Sequence, residues 1–251
     1  MSRALYSGLA GTRANQDRLD VIGNNLANVN TSAYKKIRAQ AAGRPAVNLT
    51  PDTPATTTSR MGVAETATSI IFSAAAPQST GDPLHFSIQD DALFRVTDVD
   101  GAPAFTRLGA LSADGGGNIT LGGGRLLDPP VTLAPGMTLP AVDQSGVISA
   151  LNTEGVRETI GQITMVRFVN PQGLELMGSG LYKESVNSGE LTEGTPGSPG
   201  FAGVITGALE GSNVEITDEF ANMIIAQRAY QANAQTIKTE DQLLQTLVNL
   251  R

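Results

Sequence analysis

The chain contains no cysteine and no tryptophan, a single histidine and only 4% aromatic residues among its 251 positions. Without cysteine there is no disulfide, no thiolate nucleophile and no zinc site of the cysteine type. One histidine excludes a multi-histidine metal site or a histidine relay. Basic charge is also short: 17 Lys and Arg stand against 24 Asp and Glu, a formal net charge of -7 with a pI near 4.7. A dedicated nucleic-acid binder would carry a basic stripe to neutralise phosphates, and these scattered cations supply none. No run approaches ~18 consecutive apolar residues, so no membrane insertion is expected. The start, Met1 to Gly11, holds one cation and no unbroken apolar stretch of signal-peptide length, so Sec-type secretion is not expected either.

What is present is turn-rich and able to build a core: 28 glycines, 13 prolines and 40% apolar residues, enough for one medium or two small domains. Residues 3–30 place Leu5, Leu9, Leu19, Ile22, Leu26 and Val29 at helical spacings, with a gap around Thr12 to Gln16. This is an amphipathic helix with a narrow seam. Gly8, Gly11 and Gly23 each cost ~1 kcal/mol relative to alanine in a helix, so the segment needs partners. Residues 41–80 are rich in Ala, Thr, Ser and Pro, with Pro45, Pro51, Pro54 and Pro77 as breakers and Thr66 to Phe72 as the one strand-like run. They predict an extended arm. From about 82 to 205, short β-type runs such as Leu93 to Thr97, Ala104 to Leu108, Gly146 to Ser149 and Gln162 to Val169 alternate with turn signals. Asp100-Gly101, Asp114-Gly115 and Gln172-Gly173 mark the corners.

The strongest pattern lies at the C-terminal end. Ile216, Phe220, Met223, Gln227, Tyr230, Ala234, Ile237, Asp241, Leu244, Val248 and Arg251 follow an alternating 4-3 spacing, the 3.5-residue period of a supercoiling helix. Ser212 to Glu215 has capping-box spacing, and Glu215, Asp218 and Glu219 suit the positive end of the helix dipole. A rod from about 214 to 251 needs a second long helix, and the N-terminal segment is the candidate. The predicted fold is therefore α+β: N- and C-terminal helices paired as an antiparallel, coiled-coil-like α-hairpin, with an inserted all-β domain and an extended Ala/Thr/Pro-rich arm. Its parts are expected at 1–40, 41–81, 82–205 and 206–251.

Candidate chemistry is sparse. His85 has no nucleophile elbow for company, and a strand or surface role is the simpler reading. Asp98-Val99-Asp100-Gly101 begins like a calcium loop, but the loop lacks the glutamate at position twelve, so a turn is expected. Gly115 to Gly117 and Gly122 to Gly124 flank Asn118 to Leu121 without the Lys-Ser/Thr of a phosphate loop and are read as hairpin ends. No catalytic residue, cofactor or metal is expected. Amides are unusually dense: Asn24, Asn25, Asn28 and Asn30 close the first helix, and Asn222, Gln227, Gln231, Asn233, Gln235, Gln242, Gln245 and Asn249 line the last. Neutral amides suit a face packed against other polar helices, where they fix register without burying charge; capping asparagines and chance composition are the alternative. The assembly seam is accordingly expected at Leu5, Leu9, Leu19, Ile22, Asn24, Asn25, Leu26, Asn28 and Val29 on the first helix. On the last it is expected at Phe220, Met223, Gln227, Tyr230, Ile237, Leu244 and Val248.

These motifs add up to a resemblance. Ser7-Gly8-Leu9, Asp20 to Thr31 and Ala33-Tyr34-Lys35-Lys36 closely resemble the N-terminal signature of bacterial flagellar basal-body rod and hook proteins. Leu209 to Val214, Glu219 to Ile224, Gln227 to Tyr230 and Asp241 to Leu244 agree at the other end. Phe105-Thr106-Arg107, Asn170 to Glu175 and Gly180-Leu181-Tyr182 agree in the middle. The short length and single β domain are most like the distal rod subunits; hook and sister rod subunits are the alternatives within the family. The chain departs from it in two places. Asp90-Asp91 stands where a glycine-rich turn is usual, and Ala33 replaces the usual glycine before Tyr34, which bears on the bend after the first helix.

The resemblance implies a structural subunit of the flagellar drive shaft, exported unfolded through the flagellar type III apparatus. Such subunits form a helical homopolymer across the periplasm, with helices inside and the β domain outside. It further implies contact with other rod and hook proteins and with the P- and L-ring bushing. Other classes fit less well. A carbohydrate-active enzyme would need two acids around a groove, and Asp90 with Asp91 or Asp98 with Asp100 are the tight clusters available. A β-domain binding module or adhesin on a coiled-coil stalk is the remaining alternative.

Overall fold

The computed structural model describes residues 3–43, 47–48, 58–59, 63–98 and 100–249. It divides into two compact units: Met1–Ala27 with Ile37–Ile71 and Val214–Arg251, and Asn28–Lys36 with Phe72–Asn213.

In the first unit, helix α1 spans Arg3–Ala27 and helix α2 spans Ile216–Asn249. At 1.5 Å per residue the 34 residues of α2 make a rod of roughly 51 Å. The helices touch along a row of small residues. A Cβ at Gly8 would lie 3.0 Å from the Ile237 side chain, and one at Gly11 would lie 2.7 Å from Asn233 Nδ2. Farther along, Asn25 Nδ2 donates to Glu219 Oε2 at 3.2 Å. Numbers thus rise along α1 as they fall along α2. The glycines that weaken α1 by propensity are the ones that admit its neighbour. The start of α2 differs from expectation: its first helical residue is Ile216, so the predicted box over Ser212 to Glu215 precedes the helix. The amide of Glu219 makes an early helical bond to Glu215 O at 3.1 Å.

Much of the described part of the expected arm is strand, residues 71–76 and 80–81 excepted. Ile37–Gly43 pairs antiparallel with Val63–Ile70, setting Ile37 opposite Ile70 and Arg38 opposite Ser69. The short strands Val47–Asn48 and Thr58–Ser59 also pair. The prolines at 45, 51 and 54, read as breakers, lie outside the described residues.

The second unit is β-structure. Among the described residues its main sheet has nine strands, running from Glu175–Gly178 through Leu181–Lys183, Pro103–Thr106, Leu93–Thr97, Arg125–Leu127 and Ile119–Leu121 to Leu111–Ala113. Met165–Phe168 pairs with both Leu93–Thr97 and Leu191–Gly194. A separate three-stranded sheet joins Thr138–Val142, Val147–Leu151 and Arg157–Gln162. Phe86, Phe94, Ile119, Leu121, Ile148, Ile163 and Met165 are fully buried in one apolar cluster, with Phe86 and Phe94 edge-to-face at 4.7 Å.

One turn recurs at the corners of this unit. Asp114 Oδ1 accepts from Gly116 N and Asn118 N, Asp143 Oδ1 from Ser145 N and Val147 N, and Asn152 Oδ1 from Glu154 N and Val156 N. In each, a glycine three residues on has positive φ: Gly117, Gly146 and Gly155 at 81°, 70° and 77°. Hydrogen bonds from the Asn118 side chain and amide hold the Asp114 carboxyl below its ordinary pKa. Asp98 shares the backbone pattern, its amide bonding Ala102 O and its carbonyl accepting from Gly101 N. The calcium-loop resemblance is therefore a hairpin end. Gly122 to Gly124, with φ of 55°, 90° and 94°, likewise turn the hairpin that sets Leu121 opposite Arg125.

Candidate functional site

Two features could carry function: the exposed surface of the long helices and a buried ion cluster in the β unit. On α1, Ile22 and Asn25 are buried, Leu5, Leu19 and Leu26 are half-buried, and Leu9 and Asn24 are exposed; Val29 is half-buried in the turn after the helix. Asn25 is a bracket: Nδ2 donates to Ile37 O at 2.8 Å, and Oδ1 accepts from Ile37 N at 3.0 Å. Its bond to Glu219 adds a tie between the helices. Asn28 belongs to the turn after α1, where Thr31 bonds it through backbone and side chain.

On α2 the sides differ. Glu219, Met223, Ala226, Asn233 and Ile237 are covered, while Phe220, Gln227, Tyr230, Leu244 and Val248 are exposed. Within one chain, then, Met223 and Ile237 of the predicted seam are covered and the other five members lie open. Ile224, Ile225 and Leu243 are exposed as well, so α2 presents apolar surface on more than one side. Most of the amides of α2 are also exposed, Asn233 against Gly11 excepted.

The buried cluster was not predicted. Lys35, Arg107 and Glu210 are each exposed by 2% or less. Lys35 Nζ donates to Glu210 Oε1 at 2.7 Å and to Ser73 O at 2.8 Å. Arg107 approaches the same carboxylate side-on, Nε to Oε2 at 2.8 Å and Nη2 to Oε1 at 2.9 Å, the bidentate geometry that suits guanidinium. Its Nη1 donates to the carbonyls of Asp90, at 2.5 Å, and Ala92. The Ala75 amide completes Glu210, donating to Oε1 at 3.0 Å. Burial raises the Glu210 pKa, but the hydrogen bonds and charges of Arg107 and Lys35 outweigh it and hold the carboxyl below its ordinary range. Burial and the neighbouring Arg107 lower the Lys35 pKa despite the pairing with Glu210. Burial also pushes the nearby Tyr182 phenol up.

Three chain segments that carry the family resemblance meet at this cluster: Ala33 to Lys36, Phe105 to Arg107 and Leu209 to Val214. In the sequence they are separate fragments, and no local pattern joins them. Around it the backbone is clasped. Ala33 N donates to Glu210 O at 2.8 Å, and Asn213 Oδ1 accepts from Lys36 N at 2.6 Å while its Nδ2 donates to Ser73 Oγ. Ala33 keeps the left-handed bend with φ of 58°, although it lacks the freedom of glycine.

Of the acids weighed for catalysis, Asp90 and Asp98 are engaged elsewhere. Asp90 Oδ2 accepts from Arg167 Nη2 and Ala202 N, both at 2.9 Å, and its Oδ1 caps Ala92 N. Asp98 Oδ1 pairs with Arg125 Nε at 3.3 Å. His85 Nδ1 lies 2.9 Å from Thr80 Oγ1, and Nε2 is 3.9 Å from Asp82. Among the described residues no group of three or more His, Asp or Glu side chains could hold a metal, and no helix is long and apolar enough to cross a membrane.

Family models match along the chain: "Flagella basal body rod protein" over residues 5–35, "Flagellar hook protein FlgE/F/G D1 domain" over 87–150 and "Flagellar basal body rod FlgEFG protein C-terminal" over 205–250. The flagellar basal-body rod protein FlgG of Bacillus subtilis is 38% identical, each chain covered in full. That of Borreliella burgdorferi is 35% identical over 100% of this chain and 99% of its own, and that of Caulobacter vibrioides 32% over 99% of each. The hook protein FlgE of Borreliella burgdorferi matches over less, 43% identical across 44% of this chain and 25% of its own. With likeness that runs from the helix motifs through the β unit and over full length, the chain belongs to the flagellar basal-body rod protein family, and its role is that of a structural rod subunit.

Proposed function

We propose that this subunit polymerises through its two terminal helices into a helical tube, the distal part of the rod, which transmits torque and lets export substrates pass. The observation that carries this is the apolar surface of α2 left open in the single chain. Phe220, Ile224, Ile225, Leu244 and Val248 are 49%, 59%, 62%, 39% and 74% exposed, along a helix that already has one neighbour. A lone soluble chain gains nothing from such a row, whereas neighbouring copies could bury it. In the tube the helices pair as an antiparallel, coiled-coil-like hairpin and form the inner layers, with the β unit outermost. The seam comprises the residues expected from the sequence, Leu5 to Val29 on α1 and the turn after it and Phe220 to Val248 on α2. The subunit has no enzymatic role, and its β unit serves lateral contact and stiffness.

Export through the flagellar type III apparatus, passage across the periplasm, and contact with other rod and hook proteins and the P- and L-ring bushing belong to the same reading. Family membership supports them. Purified full-length chain brought to high concentration should form tubes of constant diameter by electron microscopy. A species that stays monomeric at every concentration and binds a soluble ligand saturably would favour the binding module instead.

A further inference from the structure

We infer that Lys35, Arg107 and Glu210 form a clasp that makes residues 33–36 an integral part of the β unit in the single subunit, closed without any help from helix pairing or polymerisation. The chain crosses between the two units at 27–28, 36–37, 71–72 and 213–214, so the β unit is assembled from two separate stretches. In its short stretch, Asn28–Lys36, Ala33 is the one buried apolar side chain among the described residues, with Val29 and Tyr34 half-covered. Burial of these three offsets only a part of the backbone entropy lost in ordering nine residues. Polar contacts must supply the remainder, and they converge on one carboxylate: Glu210 takes Lys35 on one oxygen, Arg107 on both and the Ala75 amide on one. A buried Lys35 whose partner moved away would be an uncompensated charge, so the two cannot separate by degrees. The clasp is therefore all-or-none, and the Ala33 and Lys36 amides, bonded to Glu210 O and Asn213 Oδ1, close with it.

The consequence concerns which part of the subunit stays ordered alone. The β unit retains the motif at 33–36 even where the helices have nothing to pack on, so the folded core of a free subunit is discontinuous, 33–36 together with 72–213.

Amine labelling of the full-length chain, dilute enough to be monomeric, tests this with the four lysines it contains, Lys35, Lys36, Lys183 and Lys238. Lys183 and Lys238 are exposed and serve as references. Lys35 is expected to react at least about a hundredfold more slowly than these two, as a side chain that reacts only through local opening. Gly8→Leu with Gly11→Leu, which forces the helices apart, should leave that ratio unchanged. Glu210→Gln should raise Lys35 labelling toward the reference rate. Should Glu210→Gln unfold the β unit, seen as lost amide protection at Phe94 and Met165, the milder Glu210→Asp should raise Lys35 labelling with those amides still protected. Reference-like labelling of Lys35 in the dilute wild-type chain would overturn the inference. So would protection lost in the double glycine variant, or protection unaffected by both Glu210 variants.

Discussion

At the residue scale, Ala33, where the resemblance leads one to expect glycine, is one of three described non-glycine residues in the left-handed region, with Leu139 and Ser179. Ala33 has φ of 58°, a conformation in which an L side chain costs about 1–2 kcal/mol. Glycine relieves that cost but adds unfolded-state entropy worth about 0.4–1 kcal/mol and gives up a buried methyl worth ~1 kcal/mol, so Ala33→Gly should change stability by less than about 1 kcal/mol. The thermal midpoint of the β unit should therefore move by no more than roughly 2–4 °C, the shift expected per kcal/mol for a unit of this size. A larger fall would mean that the left-handed bend costs alanine little there. A second residue-scale consequence follows from Glu210. Its pKa in the folded chain lies below the ordinary 4.5, so the folded state binds its proton more weakly than the unfolded state does. The stability it contributes is full above pH 4.5 and drains away as pH falls through the folded value. Urea midpoints of the β unit, compared across that acid range, should therefore decline more steeply in wild type than in Glu210→Gln, which has no proton to take up there. The cluster itself was illegible from sequence because its members lie 103 and 175 positions apart, and a lone Lys, Arg or Glu reads as solvated surface until the fold buries it.

At the scale of elements, glycine means different things along α1. No atom lies within 4 Å of a Cβ placed at Gly23, whereas a Cβ at Gly11 would press to 2.7 Å on Asn233. Gly23→Ala should therefore raise helix stability by ~1 kcal/mol, the ordinary propensity gain, while Gly11→Ala should lose that gain to displacement of Asn233. Helical circular dichroism under conditions where α1 and α2 are formed separates the two; equal gains would mean that α2 does not approach α1 through its glycines. Propensity alone treats both glycines as defects, and so did the sequence reading. Alternation served better where one physical cause dominated. Leu93–Thr97 was found with its observed limits because burial against the Phe86 and Met165 cluster selects β-branched and aromatic side chains there. The 4-3 pattern of α2 also marked a true helix. It marked the side that α1 covers only in part, at Ile237, because apolar periodicity reports the widest greasy stripe, while α1 also meets Glu219 and Asn233, which carry no such signal. The arm was read from composition, and no local pattern announces that Ile37–Gly43 finds Val63–Ile70 across a long insertion.

At the scale of the whole molecule, the contrast between what the single chain buries and what it leaves open separates folding from assembly. Phe220, Ile224, Leu244 and Val248 contribute little to a lone subunit, because they are 49%, 59%, 39% and 74% exposed there. Replacing all four by serine should accordingly leave unfolding of the β unit within about 0.5 kcal/mol of wild type per site, the usual effect of surface substitutions. In a tube that buries these side chains, each is worth about 1.5–3 kcal/mol when fully covered. Partial exposure already in the monomer makes the usable part smaller, on the order of 1 kcal/mol apiece, yet the losses add within every subunit and recur at every copy. Each 1.4 kcal/mol lost raises the critical concentration for polymerisation about tenfold, so the quadruple variant should need at least a hundredfold more protein to form tubes. Sedimentation of polymer across a concentration series, with electron microscopy of the pellets, measures that threshold directly. An unchanged threshold would show that these side chains remain solvated in the polymer and that another surface joins the subunits; a β unit that unfolds in the variant would show that they act within the chain rather than between chains.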